Sequence, residues 1–323
     1  MHSTNKTNAL PATSEQFERI ISNPAAKALI DRAIELAIAE DLGQNGLVDL
    51  TSDAIIGSDS LASAVVLLKE PGVVAGLDIF ALVMNRFSPA INLEVLIAEG
   101  SHIPDANLPH KPREIIRLSG PSGKILAAER LALNLIQRMS GIATFTKQFV
   151  DKAKPYGIQI LDTRKTTPCL RVFEKYAVIC AGGTNHRMGL YDNVLIKENH
   201  IRVAGGITEA VSAVRKKYGA FDREAGKGQQ VEVEVTNITE VEEALSIGVE
   251  KVLLDNMAPA MVRDAIARIQ GKCKIEVSGG INLSNIDQYL IEGIDYISVG
   301  ALTHSVKAID LSLEILEITP GSN

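Results

Sequence analysis

From Ile158 onward, six short apolar runs recur at the spacing of a β-α unit: Ile158 to Leu161, Asn193 to Ile196, Val231 to Val235, Lys251 to Leu254, Lys274 to Val277 and Tyr296 to Val299. Helical patterns follow most of them, as in ITEAVSAVRKKYG, ITEVEEALSIG and MVRDAIARIQG. Repeated units of this length require parallel strands joined by right-handed crossovers, and a barrel is the closure they favour. Functional residues in such a fold gather at the carboxyl ends of the strands.

The residues at those ends are Asp162-Thr163-Arg164-Lys165, Lys197, Glu234 late in its strand, Asp255-Asn256, Ser278-Gly279-Gly280 and Gly300. Every proposed strand therefore ends in a group with chemistry to offer, which predicts one shared site. The segment from Leu161 to His200 gathers Arg164, Lys165, Arg187 and Lys197, with His186 and His200, in an otherwise acidic protein. Cations at the ends of buried strands suit a small polyanion, because guanidinium forks grip carboxylate or phosphate bidentately. Glycine turns offer backbone N–H groups to phosphate. Ser278-Gly279-Gly280 alone is more often a tight turn, but with Gly300 in the next unit it forms a fair phosphate cup.

Glu234 and Asp255 lie one β-α unit apart, and two hard oxygen ligands with room for water suit magnesium. The plain alternative is that Glu232 and Glu234 both face solvent in VEVEV; a central parallel strand, buried on both faces, argues against it. For Arg164 and Lys165 the alternative is a solvated turn, for Asp162 a cap on the following helix, and for His186 a structural histidine. Cys169 has no base assigned to it and is read as packing.

The rest of the chain bounds the class. With 323 residues and 46% hydrophobic content it can bury a large core, and a net charge of -6 without a basic stripe argues against nucleic acid as a partner. Three cysteines without CxxC spacing indicate neither zinc nor a disulfide framework. The polar start and the lack of a long apolar stretch predict a cytoplasmic protein with no membrane association. Residues 1–24 read as a flexible tail. Ala25 to Glu40 has helical spacing, closed by Gly43 and Gly46, and short β-rich runs between Ala62 and Gly120 predict a mixed α/β layer with antiparallel strands. Ser122 to Lys154 reads as a helix bending at Ser140-Gly141, at the junction of domains 25–140 and 141–301. Residues 302–323 are read as an amphipathic helix packing back on the first domain.

The runs AERLALNLIQRMSGIAT, DTRKTTPCLR, NHRMGLYDNVLIKENHI, VEVEV, LLDN, SGGI and VGALTHS resemble, in order and spacing, the quinolinate phosphoribosyltransferase family, from about Ala25 to the C-terminus. The resemblance implies an α/β fold in which an N-terminal open-faced sandwich domain joins an incomplete α/β barrel, as in type II phosphoribosyltransferases. It also implies an enzyme that joins quinolinate to phosphoribosyl pyrophosphate with loss of carbon dioxide, giving nicotinate mononucleotide for NAD biosynthesis. Carried over residue by residue, it sets quinolinate against Arg164, Lys165, His186, Arg187 and Lys197, with Arg130 donated by the other subunit of a homodimer. It gives Glu234 and Asp255 the ribose hydroxyls and Mg2+, and Ser278, Gly279, Gly280 and Gly300 the 5-phosphate. Thr163, Val299 and Ala301 complete the substrate lining, and Lys165, Glu234 and Asp255 are the catalytic set. Where the family has a plain Gly-Asp-Leu-Thr, this chain carries a small insertion from Gln44 to Thr51. Same-fold relatives, such as ModD-like proteins or nicotinate-specific transferases, and a non-catalytic sensor of phosphoribosyl ligands are the competing classes.

Overall fold

The computed structural model describes residues 14–43, 49–104, 112–221 and 229–321. The first thirteen residues of the expected tail, the helix stop at Gly46 and residues 44–48 of the insertion lie outside the described residues. In chain order the elements are α1 (Glu15–Ile21), α2 (Pro24–Leu42), α3 (Leu50–Ile55), β1 (Leu61–Leu68), β2 (Gly72–Val73), α4 (Leu77–Phe87), β3 (Asn92–Val95), β4 (His102–Ile103), β5 (Arg113–Pro121) and α5 (Ser122–Ala153). They continue with β6 (Gln159–Leu161), α6 (Arg171–Cys180), β7 (Val194–Ile196), α7 (Glu198–Ala204), α8 (Ile207–Tyr218), β8 (Val231–Val235), α9 (Ile238–Ser246), β9 (Lys251–Asp255), α10 (Pro259–Ile269), β10 (Lys274–Ser278), β11 (Tyr296–Ser298), α11 (Ala301–His304) and β12 (Leu311–Thr319).

Two compact units result: Met1–Phe145 with Thr167–Ala181 and Ser305–Asn323, and Thr146–Thr166 with Gly182–His304. The first is built on a four-stranded antiparallel sheet of order β12-β1-β5-β3. β1 is apolar along most of its length, and Val66 and Leu68 are fully buried, as are Phe80, Val83 and Met84 of α4. The C-terminal segment corrects the helical reading: Leu311 to Thr319 is a strand paired with β1, from Leu68↔Leu311 to Leu61↔Thr319. Its first residues alternate, with Leu311 and Leu313 buried and Ser312 and Glu314 outside, and the free edge of β1 satisfies its backbone as a helix would have done internally.

Residues 14–24 also depart from the flexible tail expected of them. Ser14 caps α1 through Phe17 N and hydrogen-bonds Asp78, while Phe17 is buried with its ring 5.7 Å from that of Tyr176. α2 starts where Asn23 accepts from Ala25 N and Ala26 N ahead of the N-terminal proline, and stops at Gly43 with φ of 76°. α5 continues as one helix through Ser140-Gly141. Ser140 Oγ satisfies Ala75 N at 3.0 Å, and a Cβ on Gly141 would collide with the Lys307 carbonyl. Close backbone approach explains that glycine.

The second unit is a six-stranded parallel sheet of order β6-β11-β10-β9-β8-β7. Written as a ring this is the sequence order of a barrel with β11 closed onto β6; β6 and β7 are the edge strands, and β6 is bridged on its outer side by Thr184. The barrel is incomplete, as the family resemblance implies. The six strands fall within a residue or two of the runs read from sequence. Val241 and Ala244 of α9 and Val262, Ala265 and Ile269 of α10 supply buried apolar faces. The segment after Ser278-Gly279-Gly280 forms a single 3-10 helical turn at Ile286–Gln288, not an α-helix, and α11 is one turn long. Among the described residues no helix is long and apolar enough to cross a membrane.

Candidate active site

Parallel pairing puts the strand ends of the second unit at one level. Glu234 is opposite Leu253 and Asp255 opposite Ser278, so the two acids project from neighbouring strands on the same face, two residues apart in register. Glu234 Oε2 accepts from Lys197 Nζ at 2.7 Å, and Asp255 Oδ2 from Asn256 Nδ2 at 2.7 Å. Lys197 stands at the start of α7, where its backbone N–H donates to His200 Nδ1 at 3.0 Å.

Asp162 is fully buried, and it does not cap a following helix. Its carboxylate accepts from Asn185 Nδ2 at 2.5 Å and from His186 N at 2.9 Å, which ties the loop before β7 to the end of β6. Thr163 Oγ1 accepts from Lys165 N at 3.0 Å, and Thr303 Oγ1 donates to the Lys165 carbonyl at 2.8 Å, so the exposed Arg164-Lys165 turn is fixed at its backbone. Arg187 is buried, and its Nη1 donates to the Asn193 carbonyl at 2.9 Å. Burial, reinforced by the neighbouring Arg164 charge, holds its guanidinium below the usual arginine range, with Glu232 and Asp192 pulling the other way. Two guanidiniums close enough to repel each other, one of them buried, are what a dianion pocket requires before its ligand arrives.

The glycine turns have structural reasons of their own. Gly279 has φ of 98°, and a Cβ there would stand 2.5 Å from Asn256 Cγ; Gly280 has φ of 62° with open space around it. A Cβ on Gly300 would stand 3.1 Å from Lys165 Cδ. Val299 N is committed to the Leu161 carbonyl at 3.0 Å, and Ala301 begins α11. Thr163, Arg164, Lys165, His186, Arg187, Lys197, Glu234, Asp255, Ser278, Gly279, Gly280, Val299, Gly300 and Ala301 all belong to this unit. Arg130 lies on α5 in the first unit, its side chain 65% exposed and 3.9 Å from Glu129.

Two family models match the chain in succession. Residues 49–140 match the quinolinate phosphoribosyl transferase N-terminal domain, and residues 142–314 the C-terminal domain. The chain belongs to the quinolinate phosphoribosyltransferase family. Relatives within the family include the chloroplastic nicotinate-nucleotide pyrophosphorylase (carboxylating) of Arabidopsis thaliana, 40% identical over 87% of this chain and 81% of that protein. A probable nicotinate-nucleotide pyrophosphorylase of Bacillus subtilis is 40% identical over 85% of this chain and 90% of its own length. The crystal structure of NadC from Streptococcus pyogenes superposes with a TM-score of 0.81 at 33% identity, covering 97% of this chain and all of that one.

Sequence reasoning missed a second group beneath the rim. Glu232, Lys251 and Glu276 sit inside the barrel with His186, not in solvent: Glu232 is 7% exposed and Glu276 fully buried. His186 Nε2 lies 3.3 Å from Glu232 and 3.7 Å from Glu276, while Lys251 Nζ pairs with Glu276, lies 3.3 Å from Glu232 and sits 4.6 Å from the Tyr296 ring centroid. His186, Glu232 and Glu276 have metal-ligand proximity, but the Lys251 ammonium already supplies a cation there. A cavity of about 740 Å3 at the strand starts, lined by Gln159, Lys251, Lys274 and Tyr296, reaches this group and Arg187. The signal was available: acids at alternate positions of VEVEV and inside KIEVS fall on central parallel strands, where a charge needs a partner. Cys169, read as packing, is exposed, with φ of 66°.

Proposed function

We propose that this chain transfers the phosphoribosyl group of phosphoribosyl pyrophosphate to quinolinate and releases pyrophosphate and carbon dioxide, forming nicotinate mononucleotide for NAD biosynthesis. The observation that carries the reading is the buried Arg187 guanidinium with the Arg164 charge acting on it, in a chain of this family. Quinolinate has two carboxylates beside a ring nitrogen, and Arg164, Lys165, Arg187 and Lys197 offer it charge, with His186 seated behind Arg187. Ser278, Gly279, Gly280, Val299, Gly300 and Ala301 line the place of the 5-phosphate, with glycine where a side chain would intrude on Asn256 or Lys165.

The chemistry this site must perform is mainly positioning and charge stabilisation. As pyrophosphate departs, positive charge builds at the ribose anomeric carbon, and the quinolinate nitrogen bonds there. Glu234 and Asp255 hold the ribose hydroxyls and Lys165 faces the departing phosphates. Once the ring nitrogen is quaternary, the adjacent carboxylate leaves as carbon dioxide, because the positive ring stabilises the electron pair left at carbon, and that carbon then takes a proton from water. Two carboxylates on neighbouring strands are too few to cage a cation by protein alone, and fit a Mg2+ ion that arrives with substrate phosphates. Glu234 and Asp255 would hold that ion, which neutralises the pyrophosphate as it leaves.

The enzyme in this reading is a cytoplasmic homodimer in which Arg130 enters the partner's site. The exposure of Arg130 and the three free cysteines are consistent with both statements. The test is carbon dioxide and pyrophosphate release with each pyridine substrate. Quinolinate should react, whereas nicotinate lacks one carboxylate, leaves Arg187 or Lys197 unmatched and should fall at least a hundredfold in kcat/KM. Comparable turnover of nicotinate would remove the assignment.

A further inference from the structure

We infer that Glu232 is a positioning residue for quinolinate, holding the His186-Arg187 turn from inside the barrel through His186 Nε2. The inference rests on the reading that Arg187 meets a quinolinate carboxylate. Arg187 N donates to His186 Nδ1 at 2.7 Å, so that nitrogen is an acceptor and the ring proton lies on Nε2, which faces Glu232 at 3.3 Å. The same backbone is held from the other side by Asp162, whose carboxylate takes His186 N. The turn carrying Arg187 is therefore fixed at the main chain by one buried acid and at the side chain by another.

Glu232 has its own support. It neighbours Lys251 in strand register, and Lys251 Nζ reaches both Glu232 Oε1 and Glu276. Glu232 also lies near enough to Arg187 to favour its guanidinium.

Glu232→Asp separates reach from charge, because it keeps the anion and withdraws it by one methylene. It should raise the quinolinate KM about tenfold while the KM for phosphoribosyl pyrophosphate stays within about twofold. Glu232→Gln keeps the reach and still accepts from Nε2–H, so its quinolinate KM should rise less. Unchanged KM values for both substrates in Glu232→Asp, or an equal rise in both with a fall in unfolding temperature, would overturn the inference in favour of a purely structural acid. Should Glu232→Asp fail to fold, Lys251→Met removes the support of the same carboxylate and must show the same split between the two KM values; an even rise again overturns it. Arg187→Ala tests the underlying reading separately. If that variant keeps its quinolinate KM, the pocket assignment is wrong, whereas a large rise there with normal Glu232→Asp kinetics rejects only the brace.

Discussion

Acids in this chain have separate tasks, and their surroundings decide which. Asp255 and Glu234 stand half-buried at strand ends with a hydrogen-bonded cation or amide beside them, where the proposed magnesium would join. Asp255→Ala should lower kcat/KM about a hundredfold or more, and a chelator should abolish turnover until magnesium or manganese is restored; unchanged kinetics in either case would contradict the pair's role. Glu99 is of another kind. Its carboxyl accepts from Gly76 N at 2.5 Å and Leu77 N at 2.9 Å at the start of α4, yet burial, with Asp78 nearby, pushes it from 4.5 up to about 7. The folded state therefore holds this proton more tightly than the unfolded chain. The stabilisation is complete below pH 4.5 and is lost as pH rises through about 7. Glu99→Gln should flatten that part of the stability profile, by on the order of 3 kcal/mol across the window. Urea unfolding at pH 5 and pH 8 measures it, and parallel profiles for the two proteins would reject the assignment.

At the level of elements, the β-α repeats were legible because each obeys one local rule at a time. Apolar runs gave the six barrel strands almost to the residue, and capping explains the helix starts at Asn23, Asp49 and Asn237. β12 was misread for the opposite reason. LSLEILEI satisfies a helical stripe nearly as well as a strand alternation, and only the open edge of β1 chooses between them. The choice predicts a substitution pattern. Glu314→Thr, exposed on β12, should change stability by less than about 0.5 kcal/mol, since a β-branched residue suits a strand. Leu311→Ala should cost about 2 to 4 kcal/mol by emptying a buried position. Denaturant midpoints report both, and a clear loss in Glu314→Thr would argue for helical demands on this segment.

At the level of the whole molecule, the proposed assembly places one of each site's cations, Arg130, on another chain. An Arg130→Ala chain lacks what it gives its partner, and a Lys165→Ala chain lacks what its own barrel supplies. Each mutant homodimer should be nearly inactive, while mixing after reversible dissociation should restore about a quarter of wild-type activity, because half the dimers are mixed and each has one whole site. Mixed dimers confirmed by mass but still inactive would place Arg130 in its own chain's site. The amino-acid sequence by itself determined the parallel β-α architecture, the strand ends that carry cations, acids and glycines, and the family, since these depend on periodicity and on residues close together along the chain. Only the tertiary structure decided that the C-terminus is a strand, that Ser14 and Phe17 are docked, and that Glu232, Lys251 and Glu276 stand behind His186. Those outcomes depend on which edge is left unpaired and which charges meet inside the barrel, and such pairings join residues whose separation along the chain leaves no local pattern.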